Sequence, residues 1–134
     1  FPSDRFIQQL CPWFIALQSV LSYLAAGVAK IVSSQWRSGE CLLPILRTTA
    51  YGHRNLASVF AEVKLLPRLA SWATMLFELS FPLVLVGGRP MVWGILIAGV
   101  VFHATNAVFM GLNCFFWAFL ATYPAILFSS HILS

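Results

Sequence analysis

Long apolar runs alternate with short polar breaks along this chain. Four runs approach or reach the length needed to cross a bilayer, at about residues 11–32, 69–87, 91–110 and 112–130. At 1.5 Å per residue a twenty-residue run such as the third covers roughly 30 Å, the thickness of a hydrocarbon core. Backbone groups in lipid must be paired within the segment, so each run predicts a helix. Gly87-Gly88-Arg89-Pro90 reads as a tight turn between the second and third, and Gly111 with Asn113 marks a shorter one before the fourth. These connections imply antiparallel neighbours. Pro82 and Pro124 fall inside runs and predict kinks. The pattern is that of an all-α integral membrane fold of about four transmembrane helices, a single domain over residues 1–134.

The segment 33–68 breaks the rhythm. Short apolar patches there alternate with Arg37, Arg47, Arg54, Lys64 and Arg68, as in a chain lying on a membrane surface. Within it Leu56, Val59, Phe60, Val63 and Leu66 share one helical face, predicting a short interfacial helix over 55–66. Trp36 and Trp72 suit the headgroup layer.

Composition agrees with this reading. With 60% hydrophobic and 9% charged residues, a soluble fold of 134 residues would expose large apolar patches. The first residue is Phe1 rather than Met, which suggests a processed subunit or a piece of a longer chain. The basic residues of 33–68 outnumber Glu40 and Glu62 and place that loop on the cytoplasmic, matrix or stromal side. Spread among apolar anchors, they suit anionic headgroups and make nucleic acid a poor partner. Cys11, Cys41 and Cys114 have no metal or CxxC spacing, so free buried thiols are expected ahead of a disulfide, and no metal site is predicted.

The informative positions are polar ones inside the runs. Lys30 ends the first, Glu78 lies about two turns into the second, and His103 and Asn106 lie near the end of the third. Followed along an antiparallel path, all four fall in one leaflet. His103 and Asn106 share a face with Gly99 and Met110, and Lys30 shares one with Tyr23 and Gly27. Small Gly27 and Gly99 allow close helix approach there, turning the polar groups inward. Each also has a plainer reading: Lys30 as a snorkelling terminal lysine, Lys30 with Glu78 as a structural ion pair, His103 with Asn106 as an interhelical hydrogen-bond pair. Four in one leaflet point to a shared polar cavity. If Lys30 is a proton acceptor, its amine should stand apart from Glu78 beside open volume. If it is structural, it should meet Glu78 with no cavity alongside.

The stretches "YLAAGVAKIVSSQWRSGECL", "WATMLFELSFP" and "FHATNAVFMGLNCFFWAFLATYPAILF" resemble, in order and spacing, the transmembrane core of the vitamin K-dependent γ-carboxylase family and its bacterial relatives, the horizontally transferred transmembrane domain proteins. The resemblance covers most of residues 20–128. It implies a vitamin K or related quinol as the ligand, Lys30 as the base that deprotonates it, and His103 as a second catalytic residue. Asn106, Glu78 and Tyr23 are then implied to bind the ligand. The family's paired lysines read Ala29-Lys30 here, and its upstream helices and lumenal substrate domain have no counterpart in these residues. The expectation is therefore that this chain does not carboxylate a protein alone. Its sidedness stays open, because the implied chemistry faces the lumen whereas the basic loop points the other way.

Two functional classes follow. One is a quinone-binding, catalytic membrane core that works with other segments or subunits. The other is a non-catalytic accessory subunit of a larger membrane assembly, of respiratory or photosynthetic type.

Overall fold

The computed structural model describes residues 2–48 and 54–133, with side chains described over 7–48 and 54–130. Residues 49–53 of the predicted loop lie outside the described residues. All regular elements among the described residues are helical: α1 (Pro2–Val32), α2 (Ser34–Ser38), α3 (Leu42–Leu46), α4 (Arg54–Glu62), α5 (Leu65–Ser80), a 3-10 turn (Phe81–Val84), α6 (Arg89–Met110), α7 (Asn113–Leu120) and α8 (Tyr123–Leu133).

The apolar runs became helices, but their ends moved for identifiable reasons. Helix α1 starts at Pro2, nine residues before the first run. Hydropathy marks where lipid-compatible side chains begin, and polar residues upstream continue the helix without adding to it. Helix α6 matches its run closely. Pro90 occupies its first turn, where a missing N–H costs nothing, and Gly111 closes it in the left-handed region at φ 68°.

Two expectations need correction. The fourth run is broken rather than kinked: α7 ends at Leu120, and Pro124 sits in the first turn of the separate α8. The second run starts as helix at Leu65 and stops at Ser80, because Pro82 opens a 3-10 turn. Sixteen residues of α-helix reach only ~24 Å, short of the ~30 Å hydrocarbon core. Among the described residues, three stretches are long and apolar enough to cross a membrane: Ile7–Val32, Arg89–Met110 and Asn113–Ser130.

Helix α1 is the central strut. It packs along α5 and α8, α6 packs along α7, and the 3-10 turn touches both α1 and α6. The core gathers Ala16, Val20, Tyr23, Phe81, Val84, Val92, Leu96, Tyr123 and Ile126. Both predicted close approaches occur. A Cβ on Gly27 would stand 3.0 Å from the Leu79 side chain and 3.1 Å from Glu78 Cβ, and one on Gly99 would run into the Tyr123 hydroxyl. Outside, Leu17, Leu21, Ile97, Val101 and Val108 are exposed, a surface suited to acyl chains rather than water.

The segment after α1 does more than lie on a surface. Leu42 and Leu46 of α3 are buried, with α3 contacting α4, α5 and α6. Gly39, at φ 83°, lets the α2–α3 turn approach the start of α5, where a Cβ would stand 2.5 Å from the Arg68 backbone nitrogen. Helix α4 forms where a helix was expected but ends at Glu62, with Ala57 buried and Val59 and Val63 exposed.

Candidate functional site

The C-terminal parts of α1, α5 and α6 converge beside α3 and α7 on one partly open cavity of about 360 Å³. That volume lies within the ~300–1,000 Å³ of small-molecule sites. Its polar lining includes Lys30, Glu78, His103 and Asn106, with Tyr23 and Thr74. The remainder is apolar and aromatic, chiefly Phe102, Phe115 and Phe119 with Trp36, Leu42 and Ile45. All five residues expected at a site therefore meet at one cavity, although they come from three helices.

Lys30 lies in the last turn of α1, at the loop end of the cavity. Its Nζ donates to both carboxylate oxygens of Glu78 at 2.8 Å and stands 5.1 Å from the centre of the Trp36 ring. The exposures differ: the Lys30 side chain keeps 20% of its surface and Glu78 6%. Gly27 makes the pairing possible by letting α1 ride on the Glu78 Cβ. The expected choice between a paired Lys30 without a cavity and an unpaired Lys30 beside one was too narrow. Glu78 reaches Lys30 from one side while the cavity opens on another.

His103 forms the opposite wall. Its Nε2 shares a 2.6 Å hydrogen bond with the Tyr23 hydroxyl, and its ring stacks on Phe119 at 4.5 Å and 14°. Tyr23 stacks on Phe81 at 3.7 Å and sits edge-on to Phe77. Both polar side chains are buried, and His103 Nδ1 has no hydrogen-bond partner among the described residues. Asn106, one turn farther along α6, lines the same cavity.

A family model for the HTTM domain matches residues 3–131, almost the full length. This chain belongs to the HTTM domain family. No curated protein and no solved structure matches it. The HTTM membership bears out the resemblance drawn from the ordered motifs around Lys30, Glu78 and His103.

Three parts of this HTTM cavity escaped sequence reasoning. Trp36, expected among headgroups, is a wall residue beside Lys30, while Trp72, outside the cavity lining, donates through Nε1 to the Arg37 carbonyl at 3.2 Å. The α3 residues Leu42 and Ile45 close a side assigned to a surface loop. The Tyr23–His103 bond joins positions 80 apart in sequence, a distance at which helical spacing carries no signal. The three cysteines are free, but Cys11 and Cys114 face outward rather than inward.

Proposed function

We propose that this HTTM domain binds a quinone-type ring ligand from the bilayer, with Lys30 as its proton acceptor. The observation that carries the reading is the convergence of Lys30, Glu78, His103 and Asn106 on one aromatic-walled space of about 360 Å³. Flat rings suit the walls Phe102 and Phe119, and heteroatoms on the ring suit His103 and Asn106. In this reading α5 with its 3-10 turn is the fourth crossing, α4 lies at the interface, and the basic loop faces the cytoplasm, matrix or stroma.

A bound quinol supplies an acidic hydroxyl, and the chain's own groups must receive the proton. As an ammonium Lys30 has no lone pair. It becomes an acceptor when its proton passes to Glu78, across contacts of 2.8 Å, leaving a neutral amine and carboxylic acid. Glu78 thus serves as the partner that sets when Lys30 can act.

The same bidentate pair also favours the second reading, an accessory subunit in which Lys30 and Glu78 fasten α1 to α5. Titration of purified protein in nanodiscs with 1,4-naphthoquinone separates the two. Binding quenches the fluorescence of Trp36 saturably, and filling the cavity through Ala26→Phe abolishes the saturable part. Linear quenching that is identical in wild type and Ala26→Phe, the signature of partition into lipid, would overturn the ligand-site reading.

A further inference from the structure

Gln18 differs from the polar groups of the cavity because it faces outward. It lies eleven residues after Ile7 and fourteen before Val32 in the α1 span, close to the middle of the hydrocarbon, and it is exposed. Its amide has no hydrogen-bond partner among the described residues. The nearby hydroxyls of Ser19, Ser22 and Thr122 each donate to a backbone carbonyl of the preceding turn, at 3.0, 2.8 and 2.7 Å. An amide facing acyl chains loses the donors and acceptors that water would supply, and membrane helices avoid that loss by pairing such groups across helices.

The residues around Gln18 form a seam. Cys11, Phe14, Gln18, Leu21, Ala25 and Val28 follow one another at alternating steps of three and four, and all six are exposed. The buried Ala16, Val20, Tyr23 and Gly27 occupy the opposite side of α1, which runs as one helix through Pro12. A strict seven-residue repeat is the contact line of two helices in a left-handed supercoil, and a single amide within it fixes their register.

We propose that this chain forms a parallel homodimer through α1, with the Gln18 amides of the two copies hydrogen-bonded to each other at the two-fold axis. Copies inserted in the same orientation are related by an axis along the membrane normal, so each seam residue meets its own counterpart at its own depth. An amide is both donor and acceptor, so Gln18 is complementary to itself there. The occupant of the seam that supplies the missing group at the required depth is therefore a second copy. Beside the seam, a groove of about 290 Å³ between α1 and α7 starts at Phe14 and Gln18 and continues past Ala118 and Thr122. It leaves room for the outward Phe14 ring of the other copy. Gln18 does not line the ligand cavity, so the dimer stands or falls independently of what that cavity binds.

The test uses the full chain in proteoliposomes at a low protein-to-lipid ratio, in a Cys41→Ser/Cys114→Ser background that leaves Cys11 on the seam. Oxygen with copper phenanthroline as catalyst oxidises two facing Cys11 thiols to a disulfide, read as a covalent dimer on a non-reducing gel. Gly94 is exposed near the start of α6, at the same end of the bundle, with nothing within 4 Å of an added Cβ. A thiol placed there, by Gly94→Cys with Cys11→Ser, reports random collision. Cys11 is expected to cross-link at least about tenfold faster, because the seam holds the two thiols together before oxidation. Lipid-dilution energy transfer between chains labelled at Cys114, in a Cys11→Ser/Cys41→Ser background, reads the affinity. There Gln18→Leu should weaken association roughly tenfold, the effect of losing an interhelical amide pair. Cross-linking of Cys11 no faster than the Gly94 control, or an unchanged association in Gln18→Leu, overturns the proposal.

Discussion

Removing one member of the Lys30–Glu78 pair should cost far more than removing both. Lys30→Met leaves a carboxylate with 6% of its surface exposed and no counter-charge, a state that costs about 3–5 kcal/mol in buried pairs. Glu78→Gln leaves an ammonium that is 20% exposed and 5.1 Å from the Trp36 ring. That charge retains water and a cation–π contact worth about 1 kcal/mol, so about 2 kcal/mol is expected. The double variant removes both charges and retains most of the packing, costing about 1 kcal/mol, since apolar or neutral replacements of a buried pair are often nearly neutral. The three values imply a coupling of about 4 kcal/mol or more. Unfolding of the four proteins in mixed micelles by increasing detergent denaturant, followed by far-UV circular dichroism, measures it. Single effects that add to within ~0.5 kcal/mol, or Glu78→Gln costing more than Lys30→Met, would refute the reasoning.

Three further outcomes follow from the packing. Gly39→Ala should destabilise by at least about 1–2 kcal/mol from the left-handed backbone alone, with the Arg68 backbone contact adding to it, visible as a lowered thermal midpoint. Gly99→Ala drives a methyl into the Tyr123 hydroxyl and should cost about 1–3 kcal/mol, whereas Gly94→Ala, with nothing within 4 Å, should be neutral or slightly stabilising in the same melt. Burial raises the Cys41 thiol above its ordinary range, so its thiolate fraction is low at neutral pH. Its maleimide rate in a Cys11→Ser/Cys114→Ser background should keep rising with pH beyond the point where a free thiol levels off.

Lys30, Glu78, His103 and Asn106 were legible in advance because charge and amide groups inside apolar runs are conspicuous, and helical rise places them at one depth. Gly27 and Gly99 were legible as close-approach points for the same reason: small side chains on the polar faces have few other uses. Trp36 and the α3 residues were not, because a segment mixing arginines with short apolar patches reads equally as surface and as wall. Only docking against α5 and α6 buries Leu42 and Leu46.

Hydropathy alone determined that the chain is a helical membrane domain and where α6 runs, and helical rise put Lys30, Glu78, His103 and Asn106 at a common depth. Tertiary structure decided whether those side chains meet, and how. Hydropathy averages over a window and marks lipid-compatible length, so it could not see that Pro82 and Pro124 would end helices instead of bending them. Pairing depends on helix rotation and on neighbours far away in sequence. Glu78 therefore closes on Lys30 without filling the cavity, and Tyr23 takes one nitrogen of His103 and leaves the other without a partner among the described residues.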